Sequence, residues 1–195
     1  MENKSGCVIM ASGLGSRFGS NKLMADFGGA PMILRALQAP EDLCDRRVVV
    51  TRHADVAELC LNHDVPVVKH ALPHRSDTIR LGLEALGDVR CCLFCPGDQP
   101  MLRRKTVENL LRAADGDPEA IWRPEHDGIP GSPVLFPRWA LDDLRRLPEG
   151  KGGGYLIQKY PERVRTIPVR NPYELMDVDT PQTYRLLIEA AGLQI

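Results

Sequence analysis

Short, almost wholly apolar runs alternate with amphipathic stretches through the first hundred residues. GCVIM (6–10), RRVVVT (46–51), VPVVK (65–69) and RCCLFC (90–95) are compact and flanked by turn residues, the pattern of buried strands. Between them, PMILRALQA, ADVAELCLNH and SDTIRLGLEAL carry apolar residues at helical spacing. The last opens on Ser76 or Asp77, either of which suits an N-cap. Buried strands need cover on both faces, and strand–helix–strand connections cross over right-handed. The rhythm therefore predicts an α/β fold, a three-layer α/β/α, Rossmann-like arrangement around a mostly parallel central sheet. Strand C-termini would then line one edge, where open sheets of this kind bind ligands.

After residue 115 the rhythm changes. AIW, SPVLF and RVRTIPV read as strands, whereas EHDGIPGSP is too rich in Gly and Pro to be regular. PRWALDDLRRL reads as a helix, EGKGGG as a flexible turn, and YLIQKY as the start or continuation of a helix. TPQTYRLLIEAAG closes the chain as a helix with Thr180 as N-cap and Pro181 at its first position. With no internal repeat, low-complexity linker or composition break, the 195 residues predict one domain.

Composition removes several classes of function. A net charge of −1 provides no bulk field for nucleic acid or a membrane surface. No apolar run reaches the roughly 18 residues of a membrane helix, and MENKSG lacks the apolar core of a signal peptide. The six cysteines fit no disulfide framework, so a reduced, cytoplasmic protein is expected. Cys92 and Cys95 form a C-x-x-C, but inside an apolar run and without a second Cys or His pair. They read as small hydrophobes rather than metal ligands.

Three motifs could carry chemistry. VIMASGLGSRFGSNKLM (8–24) runs from a strand into a Gly-containing loop, Ala11–Ser12–Gly13–Leu14–Gly15, followed by Arg17 and Lys22. Such a loop exposes backbone N–H groups as an anion cradle, and the two cations would grip phosphate oxygens. The alternative is an ordinary β–α turn with two solvated basic residues. PGDQP (96–100) places Asp98 at the end of a buried strand, either to hold Mg²⁺ against a substrate phosphate or only to shape a turn. MDVDTP (176–181) sets Asp177 and Asp179 two apart, on one face of an extended segment, as a cation site or as complement to the last helix dipole. Together the three form a minimal kit for metal-assisted nucleotidyl transfer.

With these residues the chain resembles the MobA-like nucleotidyltransferases, whose signature is L-x-A-G-x-x-x-R-[FM]-G-x-x-K-L. GGAPMI, PGDQPML, GIPGSPVLF and MDVDTPQTY resemble that family's later motifs, in order, over most of the chain. The resemblance implies a GT-A-like nucleotidyltransferase fold, with a nucleotide-binding part over 1–115 and an acceptor-binding and closing part over 116–195. Within the family it is nearest to the molybdenum cofactor cytidylyltransferases. These transfer CMP from CTP to the terminal phosphate of the molybdopterin cofactor and release pyrophosphate.

Carried over by position, Ala11 to Gly15 would wrap the nucleotide, and Arg17 and Lys22 would bind the triphosphate. Asp98 would hold Mg²⁺, with Asp177 or Asp179 as further ligands. RSDTIRLGL (75–83) also resembles a motif of the methylerythritol cytidylyltransferases. It implicates Arg75, Thr78 and Gly82 on the base side, with Thr78 helping to read cytosine. Gly131 and Ser132 fall on the acceptor side, and His126 beside them would touch the acceptor or sit as a surface-loop histidine.

The chain departs from the family at Ser12, at Ser132, at RSDTI and at EGKGGG, which lacks the usual arginine. Three of these lie near acceptor or base. Two alternatives therefore stand beside the cytidylyl reading. One is a guanylyl or other nucleotidyl transfer to a different phosphorylated acceptor. The other is a non-catalytic protein that delivers a finished cofactor. Contact with a recipient molybdoenzyme is compatible with each.

Overall fold

The computed structural model describes residues 4–193; the first three residues of MENKSG lie outside them. Eight strands among the described residues join one sheet in the order β3-β2-β1-β4-β7-β5-β6, with β8 pairing β5. They are β1 (Ser5–Ala11), β2 (Arg46–Thr51), β3 (Val67–Lys69), β4 (Cys91–Pro96), β5 (Ile121–His126), β6 (Ile129–Pro130), β7 (Val134–Pro137) and β8 (Val164–Pro168). The helices are α1 (Met32–Gln38), α2 (Ala54–Leu61), α3 (Arg75–Leu86), α4 (Arg104–Gly116), α5 (Arg138–Arg145), α6 (Gly154–Lys159) and α7 (Pro181–Ala190).

The period-2 alternation of the strands builds the three layers. Cys7, Ile9 and Ala11 of β1, Val49 of β2 and Leu93 of β4 face one side, where α1, α2 and α4 cover them through Ile33, Val56 and Leu110. Val8, Val48, Val50 and Phe94 face the other side, under Ile79 and Leu83 of α3, Leu141 of α5 and Leu156 of α6. Gly82 permits the close approach of α3, because a Cβ there would lie 2.7 Å from Val8. The same alternation settles the C-x-x-C: Cys92 and Cys95 project to opposite faces of the sheet. All six cysteines are free, five of them buried. No helix among the described residues is long and apolar enough to cross a membrane.

Four expectations need correction or extension. First, the sheet is mostly parallel as expected, through β1, β2, β3 and β4 and again between β5 and β8, but β7 runs antiparallel to β4 and β5. Second, EHDGIPGSP is not irregular: β5 and β6 form a hairpin across Asp127 and Gly128, which have φ of 50° and 79°. Positive φ at both central residues is the turn whose twist matches paired strands. Third, α3 starts at Arg75, so neither Ser76 nor Asp77 is its N-cap. Asp77 sits one turn in, and its carboxylate accepts the His74 N–H at 3.1 Å. Fourth, α4 is a thirteen-residue helix that the alternation does not include. Thr180 caps α7 as expected, its hydroxyl accepting from Thr183 N–H at 3.1 Å.

Candidate active site

The chain leaves β1 toward β2 on one side of the sheet and reaches β4 on the other. This reversal opens a crevice at the C-terminal ends of β1 and β4, the topological switch point where ligands bind. A cleft of about 310 Å³ lies there, with Ala11, Ser12, Gly13, Leu14, Lys22, Arg75, Thr78 and Asp98 on its walls.

The loop after β1 is pinned at several points. The ring of His53 donates through Nε2 to the Gly13 carbonyl at 2.8 Å. Gly15 adopts φ +62°, and its carbonyl takes the Phe18 N–H at 2.9 Å. Asn21 accepts from Leu23 N–H at 3.3 Å and starts a short turn of 3-10 helix, Lys22–Met24. The turn sends Lys22 inward. Its ammonium lies 2.6 Å from Asp98 and 3.0 Å from Asp179, although only 9% of its side chain is exposed. Burial alone would lower its pKa, but the two carboxylates outweigh burial and hold it above the ordinary value.

Asp98 comes from the turn after β4, and its carbonyl receives the Val178 N–H at 2.9 Å. That bond brings MDVDTP against PGDQP. Asp179 accepts from Lys22 and, at 2.8 Å, from Arg17. Lys22 and then Arg17 lower its pKa. The bridge is therefore fully stabilising above the ordinary carboxylate value near ~4 and is lost as pH falls through the lowered folded value. Asp177 behaves oppositely. Gln99 donates to it at 2.8 Å, yet loss of hydration and then the neighbouring Asp98 raise its pKa. Its charge thus opposes folding at neutral pH, and that cost disappears below its unfolded pKa. Asp177→Asn keeps an oxygen for Gln99 and removes the charge. The ligand-free protein should melt about 1–2 °C higher in calorimetry, a small change because solvent screens the site.

The two acidic motifs and both cations thus meet at one point. Arg17, 71% exposed along its side chain, and Lys22 are paired internally rather than left open for phosphate. Asp177 and Asp179 bind Gln99, Lys22 and Arg17, while Thr180 caps the last helix directly after them. No group of three His, Cys, Asp or Glu among the described residues could enclose a metal alone. One or two carboxylates beside a phosphate site is, however, the donor set Mg²⁺ takes when substrate oxygens complete its shell. The residues fit that ion.

A second cleft, of about 320 Å³, shares Met10, Arg75 and Pro96 with the first. Ile79, Phe94, Val134 and Phe136 line it, with Ser132 and Arg123. Gly131 lies beneath Arg123, whose guanidinium donates to its carbonyl at 2.9 and 3.0 Å. Gly131, Gly82 and His126 are not among the lining residues of either cleft. His126 bonds the Val169 carbonyl at 2.8 Å instead. Arg52, His53 and His70 belong to the site but were not singled out from sequence. Arg52 and His53 directly follow a buried strand, the same signal that singled out Asp98.

Comparison with known proteins agrees with this geometry. The MobA-like NTP transferase domain family matches residues 7–164. The Escherichia coli (strain K12) molybdenum cofactor cytidylyltransferase is 22% identical over 187 residues, covering 91% of this chain and 92% of that one. A 3-deoxy-manno-octulosonate cytidylyltransferase of Herminiimonas arsenicoxydans is 36% identical over 100 residues, 49% of this chain. The match spans only 40% of that relative. The solved structure of Rv0371c from Mycobacterium tuberculosis H37Rv superposes with a TM-score of 0.84 at 21% identity, covering 96% of this chain and 98% of that one. The chain belongs to the MobA-like NTP transferase domain family and is an enzyme of the nucleotidyltransferase type.

Proposed function

We propose that this enzyme transfers CMP from CTP to the terminal phosphate of molybdenum cofactor, yielding molybdopterin cytosine dinucleotide and pyrophosphate. The observation that carries the acceptor choice is the second cleft. Ile79, Phe94, Val134 and Phe136 line it together with Arg75, Arg123, Ser132 and Gln158, a mixed apolar and cationic surface that suits a flat heterocycle carrying a phosphate, and it opens onto the nucleotide cleft. The match to the Escherichia coli relative over nearly the full length of both chains supports the same reading. The higher identity of the octulosonate relative favours a sugar acid as the second reading.

In the proposed reaction the loop from Ala11 to Gly15 receives the triphosphate through its backbone N–H groups. Arg17 and Lys22 exchange their carboxylate partners for phosphate oxygens and neutralise the charge there. Asp98, with Asp177 or Asp179, would hold Mg²⁺, which supplies Lewis-acid stabilisation of phosphate charge when bound. An acceptor phosphate oxygen attacks the α-phosphorus, and the bond to the bridging oxygen of the β-phosphate breaks. The nucleophile is already ionised at neutral pH, so no general base is required. The same reading divides the chain into a nucleotide-binding part over 1–115 and an acceptor-binding and closing part over 116–195, with Met10, Arg75, Ile79 and Phe94 of the first part also lining the acceptor cleft.

Product analysis under competition tests the acceptor. With CTP, Mg²⁺ and equal amounts of molybdenum cofactor, a 3-deoxy sugar acid and a polyol phosphate, mass spectrometry should find the pterin dinucleotide dominant. A dominant CMP-sugar or CDP-polyol would overturn the assignment.

A further inference from the structure

His70 follows β3, and its backbone N–H extends the ladder by donating to the Thr51 carbonyl at 3.0 Å. Its ring sits behind two hydroxyl residues of the nucleotide cleft. Nε2 lies 2.9 Å from Ser12 Oγ and 3.3 Å from Thr78 Oγ1. The direction of each bond can be deduced. The Leu72 backbone N–H points to Nδ1 at 3.2 Å, and an N–H only donates, so Nδ1 carries a lone pair. The proton is then on Nε2, which donates to the hydroxyls. Ser12 in turn donates its own hydrogen to the Val50 carbonyl at 3.0 Å. Ser12 thereby keeps only acceptor capacity. Thr78 Oγ1 has no other hydrogen-bond partner among the described residues, and Nε2 cannot accept from it. Of the Ser12, Thr78 and His70 trio, its hydrogen is the one left to face the cleft.

We infer that His70 is a positioning residue that sets the polarity of the base site, leaving Ser12 as acceptor and Thr78 as donor. A donor–acceptor edge of the opposite sense complements that pair. Cytosine offers one, an amino group beside an unprotonated ring nitrogen. Uracil reverses both, with a carbonyl beside a ring N–H. The same two hydroxyls, free to rotate, would accommodate either base. The imidazole removes that freedom and so creates the discrimination. Burial first, and then Arg52 and Arg80 against the opposing Asp77, keep the ring neutral at pH 7. This inference rests on the cytidylyl reading above.

Calorimetric binding of CTP and of UTP, each with Mg²⁺, tests it without requiring the acceptor. The wild-type protein should prefer CTP. His70→Leu should weaken CTP binding about tenfold and reduce the CTP-over-UTP preference by about the same factor. His70→Gln, whose amide accepts from Leu72 and donates to Ser12, should restore most of the preference. A merely structural histidine would not produce that pattern. If His70→Leu does not fold, Ser12→Ala carries the same expectation. An unchanged preference in the folded variants would overturn the inference while leaving the cytidylyl reading intact. Equal affinity of the wild-type protein for CTP and UTP would overturn that reading, and the inference with it.

Discussion

Asp98→Asn should slow nucleotidyl transfer by about a thousandfold or more while leaving the fold unchanged. The substitution preserves the shape of the side chain, and the Val178 N–H bond to the residue 98 carbonyl does not involve the side chain. What it removes is the carboxylate at the end of β4 that faces Lys22 and raises the Asp177 pKa. Lys22 keeps Asp179 as a partner at 3.0 Å, so no buried ammonium is stranded. The loss should therefore appear in kcat rather than in Tm. A scan of rate against Mg²⁺ concentration should show a higher requirement for the ion. Near-normal kcat at the usual Mg²⁺ concentration would remove Asp98 from the metal-holding role.

Lys22→Met should have the second-largest effect, and its consequences point in two directions. Nucleotide affinity and transfer should each fall by roughly a hundredfold, because a preorganised cation facing the triphosphate is lost. The ligand-free protein should also lose about 1–2 kcal/mol, since Asp98 and Asp179 are left facing each other with only Arg17 beside them. That corresponds to a Tm roughly 2–8 °C lower. A divalent cation alone should stabilise the variant more than the wild type, because Lys22 no longer competes for the same carboxylates. Melting curves with and without Mg²⁺ separate these effects. If Mg²⁺ raised both Tm values equally, the ammonium would not be competing with the ion.

The layers and the switch point were legible because strand alternation and helix spacing are local properties. Cys7, Ile9 and Ala11 against Val8 already specify two covered faces. The antiparallel β7 was not legible, since strand direction depends on a long-range choice of partner. Helix α4 was legible in principle: Val107, Leu110 and Ala114 recur at helical spacing and are buried. Its N-cap, Arg103, makes no side-chain capping bond, however, so no start signal marks it. The Asp-Gly pair of the hairpin is a strong turn signal hidden in a stretch dense with Gly and Pro.

At the site, the motifs named carboxylates and cations that the fold brings together, but not their pairing. The contact of Arg17 with Asp179 spans 162 residues, and long-range contacts close that distance, among them the Asp98–Val178 backbone bond, the Gln99–Asp177 bond and the packing of Phe18 on Tyr184. His70 was invisible because a single histidine after a short strand carries no pattern. Its importance lies in which atoms donate to it, a property of the folded chain alone.

Pyrophosphate release tests cytidylyl transfer to a molybdenum cofactor most directly. The enzyme would be incubated with Mg²⁺ and either CTP or GTP, each with and without the cofactor. Release is expected only with CTP and cofactor together. Release with GTP would place the chain in the guanylyl branch, and no release with either nucleotide would contradict the proposed reaction.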